Sequence, residues 1–198
     1  MAGVVHGANK HPQTAVEFRG KKGTLYEGGL RIPAIARWPG KIAPGRVSEH
    51  FWYFPDVLPT IAELTGAAAP ADIDGISLVP ELLGEAVAGR TQPKHEYFYW
   101  ELNGQTAVRM GKWKAVQPVG RKKKPGAWEL YDLENDISET TDLSTQQPEI
   151  LKRMRQLAAA AHSPVVEGTF SSTAMHERDR AAKFGFDAPR GKANAANR

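Results

Sequence analysis

Asn103-Gly104 stands between two runs in which apolar and polar side chains alternate, Tyr97 to Leu102 and Gln105 to Met110. Both residue types tolerate a left-handed backbone, and such a pair between two period-two runs specifies a tight hairpin whose twist matches its strands. A third run covers Trp113 to Gln117 and a fourth Trp128 to Leu133, after which Asn135-Asp136 ends the pattern. Four short runs joined in order predict a small antiparallel meander, and a sheet of that size needs cover for its apolar face. Pro148 opens a segment in which Ile150, Leu151, Met154, Leu157, Ala158 and Ala161 recur at helical spacing, closed by His162-Ser163-Pro164. This helix is expected to pack on one face of the meander.

Upstream the pattern is more broken. The first 20 residues carry Gly3, Gly7, Asn9, Pro12 and Gly20 without a clean period and read as loop. Arg31 to Trp38, with Ile32, Ile35 and Trp38 between Gly28-Gly29 and Pro39-Gly40, reads as a strand. Pro33 lacks a ladder donor and belongs at its edge, a bulge or its start. Asp56 is placed to cap a helix whose first turn contains Pro59 and whose core face is Val57, Leu58, Ile61 and Leu64, with Gly66 closing it. A linker from Ala67 to Asp74 leads to Gly75-Ile76-Ser77-Leu78 and a short helix through Leu82 and Leu83. Beyond Gly168 the chain is polar, and a fraying tail is expected at least after Asp187. A loop needs braces on both sides, so an opening on loop and glycine turn leads us to expect bracing elements upstream of this chain.

Composition narrows the function classes. With 198 residues, 41% hydrophobic and 24% charged, the chain has the make-up of a soluble globular protein. Its net charge of +4 is concentrated in Arg121, Lys122, Lys123 and Lys124 beside Pro125-Gly126 and in the tail after Arg178. That is the pattern of a solvated turn, without the aromatic interleaving or a motif of a nucleic-acid surface, so no nucleic-acid partner is expected. The absence of cysteine excludes disulfides, thiolate metal sites and a cysteine nucleophile within these residues. No apolar run approaches the roughly 20 residues of a membrane span, and Met1 is not followed by a basic-then-apolar signal, so no membrane partner is expected.

The run from Gly20-Lys21-Lys22-Gly23-Thr24-Leu25-Tyr26-Glu27-Gly28-Gly29-Leu30-Arg31-Ile32-Pro33 to Arg37-Trp38-Pro39-Gly40-Lys41 resembles the second signature region of the sulfatase family. The resemblance continues in family order through Asp56-Val57-Leu58-Pro59-Thr60-Ile61, Asp74-Gly75-Ile76-Ser77-Leu78, Val108-Arg109-Met110-Gly111-Lys112-Trp113-Lys114 and Glu129-Leu130-Tyr131-Asp132-Leu133. It covers about residues 5 to 165 and implies an α/β fold of the alkaline-phosphatase and sulfatase type in incomplete form. The expected organisation is a partial α/β core over residues 1–90, a four-stranded antiparallel subdomain with its helix over 91–165, and a polar tail over 166–198. Edges of a core without its partners are expected to expose apolar surface and to favour aggregation.

The resemblance also implies chemistry, namely hydrolysis of a sulfate ester by a formylglycine made from Cys or Ser in a Cys/Ser-x-Pro-x-Arg motif, with a calcium ion held by acidic residues and Asn. No serine here is followed by Pro two places on and Arg four places on, and no Asp-Asp or Asp-Asn-Gly ligand motif occurs. Neither the nucleophile nor the calcium site is therefore expected in this chain, which alone should be inactive. Val4-Val5-His6-Gly7 matches the stretch that follows the family's Asp-Asn-Gly, and relatives are often exported.

Lys22 matches the family lysine that contacts the substrate's sulfate, where a unit charge pair at about 4 Å is worth up to roughly 4 kcal/mol at an effective dielectric of 20. His6 and His11 lie in the loop that borders the pocket in similar enzymes and are candidates for contacts to sulfate or sugar. Tyr26 and Glu27 are read as the buried phenol and carboxylate that hold the turn, and Arg31 and Arg37 as partners of core carboxylates. The expected partner is a sulfated small molecule or glycan. The alternative is a non-catalytic module that binds sulfated or otherwise anionic glycans through Lys22 and the basic run 121–124.

Overall fold

The computed structural model describes residues 18–120, 124–164 and 181–182. Contacts divide the chain into two units, Met1–Ala161 and His162–Arg198, and the fold below is that of the first. His6, His11, the basic residues Arg121 to Lys123 and most of the polar tail lie outside the described residues.

The meander forms as its alternation predicts. Strands β1 (Phe98–Leu102), β2 (Gln105–Met110), β3 (Trp113–Gln117) and β4 (Glu129–Asp132) make one antiparallel sheet in the order β1-β2-β3-β4. Leu102 pairs with Gln105 across a two-residue turn in which Asn103 and Gly104 take φ of +52° and +76°, the doubly left-handed geometry that suits the strand twist. Gly111, at φ +57°, turns β2 into β3.

Register sorts the side chains onto two faces. Tyr99, Val108, Ala115 and Leu130 form one cross-strand row, facing the helix α5 (Pro148–Ala161). Met154, Leu157 and Ala158 of α5 bury against Val108, Ala115 and Leu130, as the helical spacing predicts. The other face carries the rows Trp100-Ala107-Val116-Glu129 and Phe98-Arg109-Lys114-Tyr131. It is covered by the chain around Leu25 and Tyr26, which pack on Ala107, Val116, Tyr131 and Leu133. The sheet is thus buried on both sides, by a helix and by a glycine-rich loop.

Residues between the loop and the sheet contribute short helices: α1 (Glu27–Leu30), α2 (Val57–Thr65) preceded by a tight turn at Phe54–Asp56, α3 (Val79–Leu83) and α4 (Glu85–Ala88). Gly66 closes α2 at φ +72°, the left-handed stop expected of it. Three expectations need correction here. Residues 31–38 form no strand, because no neighbouring strand among the described residues offers a ladder, and Ile32, Ile35 and Trp38 stay exposed. On α2 the buried side chains are Pro59, Thr60 and Ala62, while Leu58 and Ile61 of the expected core face point outward. Asp56 stands at the N-cap position, yet its carboxylate does not cap α2.

That carboxylate is engaged elsewhere. It is fully buried and accepts the Tyr53 N–H at 3.0 Å and the Ile76 N–H at 2.7 Å, with His95 Nε2 at 2.8 Å. Thr60 Oγ1 donates to the Asp56 carbonyl at 2.6 Å and accepts the Leu78 N–H at 2.8 Å. Gly75 passes so near the preceding turn that a Cβ would lie 2.1 Å from the Pro55 carbonyl oxygen. The Asp-x-x-Pro-Thr and Asp-Gly-Ile-Ser-Leu stretches are therefore two halves of one knot of buried hydrogen bonds.

Candidate functional site

The loop that covers the sheet is shaped by its glycines. Gly20 and Gly23 take φ of +81° and +91°, conformations that L side chains rarely adopt. The Thr24 N–H and hydroxyl both donate to the Lys21 carbonyl, at 2.9 and 2.8 Å, closing a tight turn with Lys22 and Gly23 at its apex. Gln105, at the start of β2, donates from Nε2 to the Gly23 carbonyl at 2.9 Å and pins the apex to the sheet. A Cβ on Gly28 would lie 2.6 Å from the Arg19 carbonyl oxygen, and one on Gly29 would lie 2.0 Å from that of Thr24. Any larger residue at 28 or 29 would force α1 off the turn it supports.

Lys22 is exposed at this apex, and its side chain makes no hydrogen bond or ion pair among the described residues. Its neighbour Lys21 is exposed as well. Beneath the apex lies a chain of buried charge. Glu27, 2% exposed, meets the Lys114 ammonium through Oε1 at 2.8 Å and Arg31 Nε through Oε2 at 2.5 Å. Lys114, fully buried on β3, also reaches Glu139 Oε1 at 2.8 Å, while Glu139 Oε2 accepts the Glu27 N–H at 2.6 Å. Arg109 adds a guanidinium 3.9 Å from Glu27 Oε2 and 3.9 Å above the Phe51 ring. Burial works against the charge on Glu27, but Lys114 and then Arg31 outweigh it and hold the carboxyl below the ordinary range. For Glu139 burial prevails over Lys114, aided by the charge of Glu27, and the carboxyl is pushed up.

A second seam runs parallel to the first. Tyr26 from the loop and Tyr131 from β4 both donate to Glu129 Oε2, at 2.7 and 2.6 Å. Arg19 lies over the Tyr26 ring at 4.0 Å and donates to its hydroxyl at 3.2 Å and to the Glu139 carbonyl at 3.1 Å. Burial and the bond to Glu129 push both phenols well above their ordinary range. The turn bearing Lys22 is therefore fixed to three strands by buried and part-buried polar groups.

The sequence reading placed Tyr26 and Glu27 as the supports of the turn, and both are. Arg31 pairs with a carboxylate as expected, whereas Arg37 is exposed and pairs with none among the described residues. Lys114, Glu139 and Arg19 were not anticipated. Lys114 shares its face of the sheet with Val116 and Ala107, and a lysine in such a row is the signal that a carboxylate waits above it. Glu139 gives no such sign, since it sits in a loop at φ +52°. Among the described residues no three His, Asp or Glu side chains converge as metal ligands, and Glu27 and Glu139 are already committed to Lys114.

A small antiparallel meander backed by a helix and covered by a glycine-rich loop is a fold this chain shares with sulfatases. The solved structure of Ps i-CgsB, also known in complex with k-i-k-neocarrahexaose, matches with a TM-score of 0.60 at 26% identity, over 84% of this chain and 37% of that one. The chain belongs to the family described as N-sulphoglucosamine sulphohydrolase, C-terminal, whose pattern matches residues 19–162. It is 36% identical to arylsulfatase A of Homo sapiens over 78% of its length, and 37% identical to a sulfatase of Schizosaccharomyces pombe over 67%. It spans only 36% and 25% of those two relatives. None of these likenesses supports the anionic-glycan binding module as a separate reading.

Proposed function

We propose that this chain forms the C-terminal part of a sulfatase that hydrolyses sulfate esters, and that Lys22 meets the sulfate group of the substrate. The observation that carries the reading is Lys22 itself, an exposed cation without a partner among the described residues, on a turn built with two left-handed glycines and pinned from below. A lysine ammonium held in place by a prearranged turn can stabilise sulfate charge without rearrangement during reaction. The role proposed for this chain is to place one cation against the sulfate, while the nucleophile and the metal that the resemblance implies are left to other residues. A sulfated glycan or a small aryl sulfate is the substrate class, supported by the sugar complex of Ps i-CgsB and by the likeness to arylsulfatase A.

The test is a chimera of human arylsulfatase A in which residues 19–162 of this chain replace the matching part. Lys22→Ala is expected to lower kcat/KM on an aryl sulfate by on the order of a hundredfold, with the melting temperature unchanged. A loss of less than about threefold would contradict the assignment. So would a loss that tracks a fall in melting temperature.

A further inference from the structure

Glu27 and Glu139 share one ammonium. The Oε1 atom of each lies 2.8 Å from Lys114 Nζ, which keeps two buried carboxylates within about 6 Å of each other. Their other company differs. Glu27 also has Arg31 at 2.5 Å and Arg109 of β2 at 3.9 Å, whereas the Glu139 side chain pairs with no second cation among the described residues. Arg19 reaches only the Glu139 carbonyl. The Tyr26 phenol acts on Glu139 from the loop, but it is bonded to Glu129 of β4, as Tyr131 is. Asp136, in the turn before Glu139, is spent on Thr140 and Thr141. Glu139 Oε2 accepts the Glu27 N–H at 2.6 Å, while Oε1 accepts no hydrogen bond among the described residues for all its nearness to the ammonium. Two like charges so placed favour a proton on one of them, and the less compensated one is Glu139. We propose that the Glu27-Lys114-Glu139 cluster is a pH-sensitive clamp: Glu139 takes up a proton in mild acid, its repulsion of Glu27 is lifted, and the turn that carries Lys22 is held most firmly there. Only its consequence for Lys22 rests on the sulfatase reading.

The two carboxyls depart from the ordinary 4.5 in opposite directions. Burial, against Lys114 and with the charge of Glu27, holds Glu139 above it, so its contribution to stability is complete below 4.5 and is lost as pH rises through the raised value. Against burial, Lys114 and then Arg31 hold Glu27 below it, so its contribution is complete above 4.5 and is lost as pH falls through the lowered value. Together they are strongest near 4.5 and weaken toward neutrality.

Carboxyl carbon NMR of the full chain follows both glutamates through an acid titration. Glu139 is expected to titrate above 4.5 and to move down toward it in Glu27→Gln. A Glu139 carboxyl that titrates at or below 4.5 in the unsubstituted chain overturns the proposal, and that reading needs no variant to fold. The cluster joins loop to sheet, so urea unfolding reads its firmness. Glu139→Gln carries no charge at any pH, and the midpoint of the parent is expected to gain on that of the variant by at least about 0.3 M between about pH 7.5 and about pH 5. A gap that stays flat or moves the other way overturns the clamp. Neither readout involves sulfate, so its failure leaves the Lys22 assignment standing, and loss of the Lys22 effect in the chimera leaves the clamp standing.

Discussion

At the scale of single residues, Lys114 is the side chain on which the loop depends most. Its ammonium serves two carboxylates that belong to segments far apart in sequence, Glu27 on α1 and Glu139 after β4, and all three are buried. Breaking a buried pair by removing one partner costs far more than the pair's net worth, because the orphaned charge stays desolvated. Lys114→Met is therefore expected to lower unfolding free energy by about 3–5 kcal/mol in urea titration, whereas a loss below about 1 kcal/mol would show that the ammonium carries little of the stability. Half of this arrangement was legible. Tyr26 and Glu27 were readable as supports because they sit in a glycine-rich run with no other reason to carry a phenol and an acid. Glu139 was not, since a glutamate in a polar loop between Ser138 and Thr140 looks like any solvated residue until the fold brings Lys114 to it.

At the scale of elements, local pattern decided what could be read. The hairpin, the alternating strands and α5 carry their own periodicity, and all appear where the sequence predicts them. Residues 31–38 have the composition of a strand, but no strand among the described residues pairs with them, and backbone pairing is not a property of one segment. On α2 the apolar spacing was correct and the direction was reversed, because the helix is held by Asp56 and Thr60 and not by its largest side chains. The seam between the loop and β4 makes its own prediction. Tyr26 and Tyr131 have folded-state values above the ordinary 10, so their contribution to stability is complete below pH 10 and is lost as pH rises further and the unfolded chain ionises first. A Tyr26→Phe and Tyr131→Phe double variant should show a shallower loss of stability above pH 10 than the parent in alkaline denaturation. An equal or steeper loss would mean that the phenols are not held protonated by Glu129.

At the scale of the molecule, the described fold is a sheet covered twice, with the glycine loop as one of its covers. Family membership explains why these elements occur together, and the physics explains why the loop stays. Three strands contribute to its anchorage through Gln105, Lys114 and Tyr131 with Glu129, so the loop should open only when the sheet does. Local opening free energies are read by amide hydrogen exchange. The Glu27 amide, bonded to Glu139 Oε2 at 2.6 Å, and the Gly28 amide, bonded to the Arg19 carbonyl at 2.8 Å, are the reporters for the loop, with Val108 and Val116 as those for the sheet. The expected result is that Glu27 and Gly28 exchange as slowly as Val108 and Val116, and that Lys114→Met releases the first pair selectively. Exchange of Glu27 and Gly28 at the rate of an open loop, beside a protected sheet, would contradict the claim that this chain holds Lys22 in a fixed place.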